Sequence, residues 1–201
     1  MKNTIYLLFF LSAFVFAQNN QDPKEYSIEQ FYENTRIGGG RFSPDESKLL
    51  ISSDESGIFN LYEIDISTGE KKAISSSENE SYFAVDYVPG TQDILYSADK
   101  GGNEINHLYL LKPDGSSKDL TPGENEKAEF AGWSEDREFM YYLSNKRNPQ
   151  FFDLYQMKIG TWEPEMLYEN TEGYSVSISR IRENTWRFPN PSQPVRTSCF
   201  S

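Results

Sequence analysis

Three landmarks recur along this chain at one spacing, and that recurrence constrains the fold more than any single residue does. An aromatic residue entering a turn stands in Arg41-Phe42-Ser43-Pro44-Asp45, in Asp86-Tyr87-Val88-Pro89-Gly90 and in Gly132-Trp133-Ser134-Glu135-Asp136, so the aromatic steps by 45 and then by 46 residues. Asn60-Leu61-Tyr62, His107-Leu108-Tyr109 and Asp153-Leu154-Tyr155 step in phase with it, by 47 and 46. Ile74, Leu120 and Leu167 close each unit. Between the landmarks lie the nearly unbroken apolar runs Leu49-Leu50-Ile51, Ile94-Leu95-Tyr96 and Phe139-Met140-Tyr141, as expected of strands buried on both faces. Turn formers separate the strands: Pro44-Asp45 and Pro89-Gly90, then Gly57 and Gly101-Gly102, then Thr68-Gly69 and Asp114-Gly115.

Four short antiparallel strands in each repeat of roughly 40–50 residues are the pattern of a β-propeller blade. The 13 Tyr and 14 Phe suit strands, where flat side chains cover a pleated surface. Helical repeats of this length would need an amphipathic period of about 3.6 that these segments lack. The expected fold class is therefore all-β: an incomplete β-propeller of three four-stranded blades plus the first strand of a fourth. The blades are placed at 37–76, 82–122 and 128–169, with a stub at 172–179, giving a partial propeller over 37–179. Phe42, Tyr87 and Trp133 are expected as buried anchors, and Leu61, Leu108 and Leu154 on equivalent strands.

The N-terminus reads differently. Met1-Lys2-Asn3 precedes an apolar run from Ile5 to Phe16, too short to span a bilayer, and Val15 and Ala17 supply the small residues that a signal peptidase accepts. Residues 1–17 are thus expected to be a signal peptide cut after Ala17, leaving a periplasmic or secreted product with no membrane segment. Residues 18–36 form a leader, in which Ile28, Phe31 and Tyr32 have helical spacing.

Charge and residue supply narrow the chemistry. The net charge is −12, and −13 once Lys2 is removed, which repels nucleic acid and anionic lipid. One Cys, Cys199, permits no internal disulfide, and one His, His107, removes most histidine-based metal sites and Ser-His pairs. His107 stands where the sister units carry Asn60 and Asp153, so it reads as a strand-end polar residue. Gly38-Gly39-Gly40 lacks the following Gly-Lys-Ser/Thr of a phosphate loop and reads as a flexible approach to the first blade. The carboxylates at Asp45-Glu46, Asp54-Glu55, Glu78, Glu80, Glu124, Glu126 and Glu135-Asp136 lack calcium-loop spacing and read as solvated turns. No catalytic, cofactor-binding or metal-ligating residue is expected, and no cofactor.

Phe42-Ser43-Pro44-Asp45-Glu46-Ser47-Lys48-Leu49-Leu50, followed by Asn60-Leu61-Tyr62-Glu63-Ile64-Asp65 and Thr68-Gly69, resembles the TolB-like propeller repeat. Periplasmic binding propellers and the N-terminal domains of prolyl oligopeptidase family serine peptidases share that repeat. The leader with its Ile28-Glu29-Gln30-Phe31-Tyr32 turn resembles that of secreted dipeptidyl-peptidase or acylaminoacyl-peptidase-like members. The resemblance implies a propeller that filters short peptides toward a separate α/β-hydrolase domain. No Gly-x-Ser-x-Gly nucleophile turn occurs in the chain, and no Glu-Glu pair that could capture a substrate amine. The expected partners are peptides or a hydrolase domain encoded downstream, with the chain itself inactive. A stand-alone TolB-like binding or scaffold propeller is the alternative.

From Arg180 the register breaks. Residues 175–201 hold four Arg, no Lys and one acidic residue, and Pro189, Pro191 and Pro194 fall where a buried strand is due. Residues 180–201 are thus expected to be an aberrant or disordered tail, such as follows a frame change that truncates the chain before the hydrolase domain.

Overall fold

The structure is a computed structural model that describes residues 24–173. The signal peptide, residues 174–179 of the stub and the tail lie outside the described residues. Two units divide the chain, one ending at Asn34 and one beginning at Thr35. In the first, α1 spans Ile28–Tyr32. Its start is fixed by a capping box: the Gln30 amide donates to Ser27 Oγ at 3.3 Å and the Ser27 amide donates to Gln30 Oε1 at 3.0 Å.

The second unit holds twelve described strands in three antiparallel sheets. The first blade is β1 (Ile37–Phe42), β2 (Lys48–Ser53), β3 (Asn60–Asp65) and β4 (Lys71–Ala73). The second is β5 (Tyr82–Tyr87), β6 (Ile94–Ala98), β7 (His107–Leu111) and β8 (Ser117–Asp119). The third is β9 (Ala128–Trp133), β10 (Phe139–Asn148), β11 (Phe151–Lys158) and β12 (Pro164–Tyr168). Each sheet is a simple meander, its strands paired in chain order. The fold is a partial β-propeller, and Leu61, Leu108 and Leu154 do occupy equivalent strands, β3, β7 and β11.

Adjacent blades pack face to face, and the alternation of side chains along a strand decides which interface each residue serves. Ile94, Tyr96 and Ala98 of β6 join Leu50 and Leu61 in the core between the first two blades. Leu95, on the opposite face of the same strand, joins Met140, Tyr142 and Tyr155 in the core between the second and third. A strand serving two cores has no polar face, which is why these runs are unbroken in sequence. Each fully buried leucine contributes roughly 1.5–3 kcal/mol.

Every first strand carries a bulge at the same place. The pairing skips Gly40 in β1, Val85 in β5 and Ala131 in β9. These three residues share no chemistry, so no sequence pattern announces the bulge. It makes positions 37, 82 and 128 equivalent, and likewise 42, 87 and 133.

Three expectations need correction. Gly38-Gly39-Gly40 is no flexible approach: it lies within β1, with Gly38 and Gly39 paired to β2 and Gly40 forming the bulge, and Gly39 and Gly40 stand at φ of +82° and +128°, where glycine avoids strain. The third-blade counterpart of Leu49 and Ile94 is Met140 rather than Phe139, since Phe42, Tyr87 and Trp133 pair with Leu49, Ile94 and Met140. A one-residue slip exchanges the faces of a strand, so the difference assigns Met140 and Tyr142 to the core. The third concerns the anchors, of which Tyr87 is 4% exposed but Phe42 is 58% exposed and Trp133 only half-buried. Each anchor points back to the preceding blade, and among the described residues no blade precedes the first.

The turn after the first strand explains its Ser-x-Asp signature. Ser43 Oγ donates to Asp45 Oδ1 at 2.6 Å and Ser134 Oγ to Asp136 Oδ1 at 2.5 Å, while the next residues, Glu46 and Arg137, take φ of 58° and 59°. Hydrogen bonds from Ser43 and Ser47 pull the Asp45 carboxyl down to about 2. In the second blade the left-handed residue comes one position earlier, at Gly90, the counterpart of Asp45 and Asp136, with φ 73°.

Candidate functional site

The described groups best able to meet a ligand gather along the first strands. These strands approach one another across the blades, with β1 against β5, and bring Arg41, Asp86 and Trp133 together. The Trp133 indole Nε1–H donates to Asp86 Oδ2 at 3.0 Å, and Arg41 Nε lies 4.0 Å from the same oxygen. One carboxylate therefore links all three blades.

Beside this link an open cleft of about 430 Å³ lies between the second and third blades. Phe83, Ala84 and Val85 of β5 form one wall, Ala128, Glu129 and Phe130 of β9 the other, with Ser97, Asn106, Leu108 and Arg41 completing it. Leu108 and Ala128 belong to the buried core. Phe83 is 40% exposed, unusual for a strand phenylalanine, and its ring stands 5.1 Å from that of Phe59.

Around this cleft the two blade interfaces differ. The Tyr82 amide donates to the Phe59 carbonyl at 2.8 Å across the first, and the Ala128 amide to the Asn106 carbonyl at 2.8 Å across the second. That common bond sets Phe59 opposite Asn106 in the repeat, and the strand register sets Ser52, Phe83 and Ala84 opposite Ser97, Glu129 and Phe130. The Phe59 and Phe83 rings close the first interface, and the Ala84 amide donates to Ser52 Oγ at 2.6 Å. Gly39 permits that approach, since an added Cβ would stand 3.4 Å from the Cβ of Ala84. At the second interface the aromatic pair is replaced by Asn106 and Glu129, Ala84 by the bulkier Phe130, and no bond joins Phe130 to Ser97.

The polar residue at or just inside the start of the third strand has a structural task in every blade. Asn60 Oδ1 accepts from Ser75 Oγ at 2.8 Å and from the Ser77 amide at 2.7 Å, tying β3 to the segment after β4. His107 Nδ1 lies 2.8 Å from Asp119 Oδ2, and the Thr121 amide donates to the other oxygen of that carboxylate at 3.0 Å. Asp153, fully buried, takes two bonds from Arg147 at 2.8 Å and one from the Asn170 amide at 2.7 Å. His107 is thus a buried strand-end residue held by Asp119.

The turn carboxylates likewise have local partners: Arg36 meets Asp54 at 2.6 Å, Lys71 pairs with Glu55, and Lys146 lies 3.6 Å from Glu126, which is buried and not the solvated residue the sequence suggests. Burial, then the bond to Glu63, raises the Tyr87 phenol, and burial carries Tyr96 and Tyr109 up to about 12. All three stay protonated and serve as packing and hydrogen-bonding groups. No group of three metal-ligating side chains occurs among the described residues, nor any helix long and apolar enough to cross a membrane.

Comparison with known proteins agrees with this architecture. The family model described as the dipeptidyl peptidase IV N-terminal region matches residues 88–187. The dipeptidyl aminopeptidase BIII of Pseudoxanthomonas mexicana is 27% identical over 172 residues, covering 83% of this chain and 24% of that protein. The chain therefore spans about a quarter of that relative's length. Among solved structures, TolB from Acinetobacter baumannii aligns over 66% of this chain and 32% of its own with a TM-score of 0.52 and 20% identity. The dipeptidyl peptidase 4 of Porphyromonas gingivalis aligns over 68% and 20%, with a TM-score of 0.52 and 16% identity. At those identities the structural likenesses speak for the fold alone. The repeated blades, the family match and the sequence relative agree in making the chain similar to the N-terminal propeller region of dipeptidyl peptidases.

Proposed function

We propose that this chain is the substrate-gating propeller portion of an exported serine peptidase of the prolyl oligopeptidase family, whose hydrolytic centre resides on a separate α/β-hydrolase domain. The observation that carries the reading is the match to the N-terminal region of a dipeptidyl peptidase, joined to a relative whose name is that of an aminopeptidase. Alone, the chain binds or admits peptides and hydrolyses none. Export with cleavage after Ala17 is part of the same reading, and would carry the product to the periplasm or beyond.

The test is a serine-directed fluorophosphonate probe together with dipeptidyl chromogenic substrates, applied to the purified 201-residue chain. No labelling and no turnover is the expected result, whereas stoichiometric labelling of one serine overturns it. The TolB likeness favours a second reading, a stand-alone binding or scaffold propeller in the periplasm. The nucleotides that adjoin the coding sequence separate the two: a hydrolase domain downstream supports the first, further propeller repeats and a stop the second.

A further inference from the structure

We propose that the cleft between the second and third blades is a peptide subsite in which an aromatic side chain of the ligand lies against Val85 and Phe130. The inference rests on the peptide-handling reading above and names the chemistry of the site.

Three observations carry it. The second blade offers Asn106 and no ring at the position of Phe59, and Val85 and Phe130, the latter backed by the Trp133 ring at 5.1 Å, present apolar surface to the cleft. The hydrogen bond that Ser52 accepts at 2.6 Å has no counterpart at Ser97. Among the described residues the side chains of Ser97 and Asn106 make no hydrogen bond, and both line the cleft. A hydroxyl and a primary amide without partners, set beside an aromatic wall, match an extended peptide: its backbone amides satisfy Ser97 and Asn106 while its side chain covers Phe130. The cleft, at about 430 Å³, falls within the roughly 300–1,000 Å³ typical of ligand sites. Glu129, half-exposed on the same wall, lies 4.0 Å from Lys127 Nζ, so selection against an acidic side chain rests on the apolar surface of Val85 and Phe130.

The experiment titrates the full chain with N-acetyl-Ala-Phe-Ala-amide and, separately, N-acetyl-Ala-Asp-Ala-amide, following ligand saturation-transfer signals by NMR. The phenylalanine peptide should bind and the aspartate peptide should bind roughly tenfold more weakly or not at all. The decisive variant is Asn106→Phe, which sets a ring of the chain's own at the edge of the cleft. It should weaken binding of the phenylalanine peptide at least about tenfold while raising the urea midpoint, a pairing of effects that general damage cannot produce. Ser97→Ala, which removes one hydroxyl, should weaken binding about two- to tenfold and provides the test if Asn106→Phe does not fold. Binding that both variants leave unchanged places the peptide elsewhere and overturns the subsite while the peptidase-propeller reading stands. Absence of binding to either peptide at about 1 mM overturns the subsite as well, and the serine-probe test above judges the broader reading separately.

Discussion

The two blade interfaces are built from the same repeat and yet are not alike. Each has a cross-blade bond from the start of a first strand to the carbonyl preceding a third strand, Tyr82 to Phe59 and Ala128 to Asn106. Each has a buried leucine from β3 or β7 at its centre, Leu61 or Leu108. They part company along the first strands, where the first carries the Phe59–Phe83 ring pair and the Ser52–Ala84 bond, and the second has Ser97, Asn106, Glu129 and Phe130 lining the cleft. The middle strands hold the blades together, and the first strands are where one interface can be adapted without disturbing the next.

The largest effect should come from what the interfaces share. Leu61→Ala and Leu108→Ala should each cost about 2–5 kcal/mol, because both side chains are buried and closely surrounded. Urea unfolding measures both, and a loss below about 1 kcal/mol in either would show that its interface is not a true core.

A smaller effect tests the difference. Ala84→Phe installs at the first interface the residue type that stands at the second, where Gly39 and Ser52 leave it no room. About 1–3 kcal/mol should be lost to overpacking. A neutral result would mean that the size of this residue does not set the spacing of the first strands.

Ser52→Ala against Ser97→Ala is a finer comparison still. Ser52 accepts the Ala84 amide across the interface, so its loss should cost about 1–2 kcal/mol, whereas Ser97→Ala should stay within about 0.5 kcal/mol. Equal costs would erase the distinction drawn between the interfaces.

The smallest change lies in the turns. Arg137→Gly relieves a left-handed residue at φ 59°, a conformation Gly90 adopts in the second blade, and should raise stability by a few tenths to about 1 kcal/mol. A fall in the thermal midpoint would show that the Arg137 side chain holds something the turn needs.

The parts of this molecule that were legible in its sequence are those that repeat for a reason shared by every blade. Buried middle strands must be apolar on both faces, and turns must contain Gly, Pro or Asp, so both left a period of about 46 residues. Phe42 misled because its burial depends on a neighbour rather than on its own strand. The bulges at Gly40, Val85 and Ala131 were hidden because a bulge is a backbone event that tolerates many side chains. The cleft was hidden for a related reason. Asn106 and Phe130 are ordinary strand-flanking residues until the register sets them opposite Phe59 and Ala84.

The ties made by Asn60, His107 and Asp153 bear on how a blade comes apart. In the first two blades the outermost strand, β4 or β8, is only three residues long and fastened at one end to the start of the third strand. Unravelling from the rim must therefore break a polar knot before it frees any apolar surface. The outer edge can open and reclose by a few bonds while Leu61 and Leu108 stay dry, so that amide protons of β4 and β8 exchange with solvent long before those of β3 and β7.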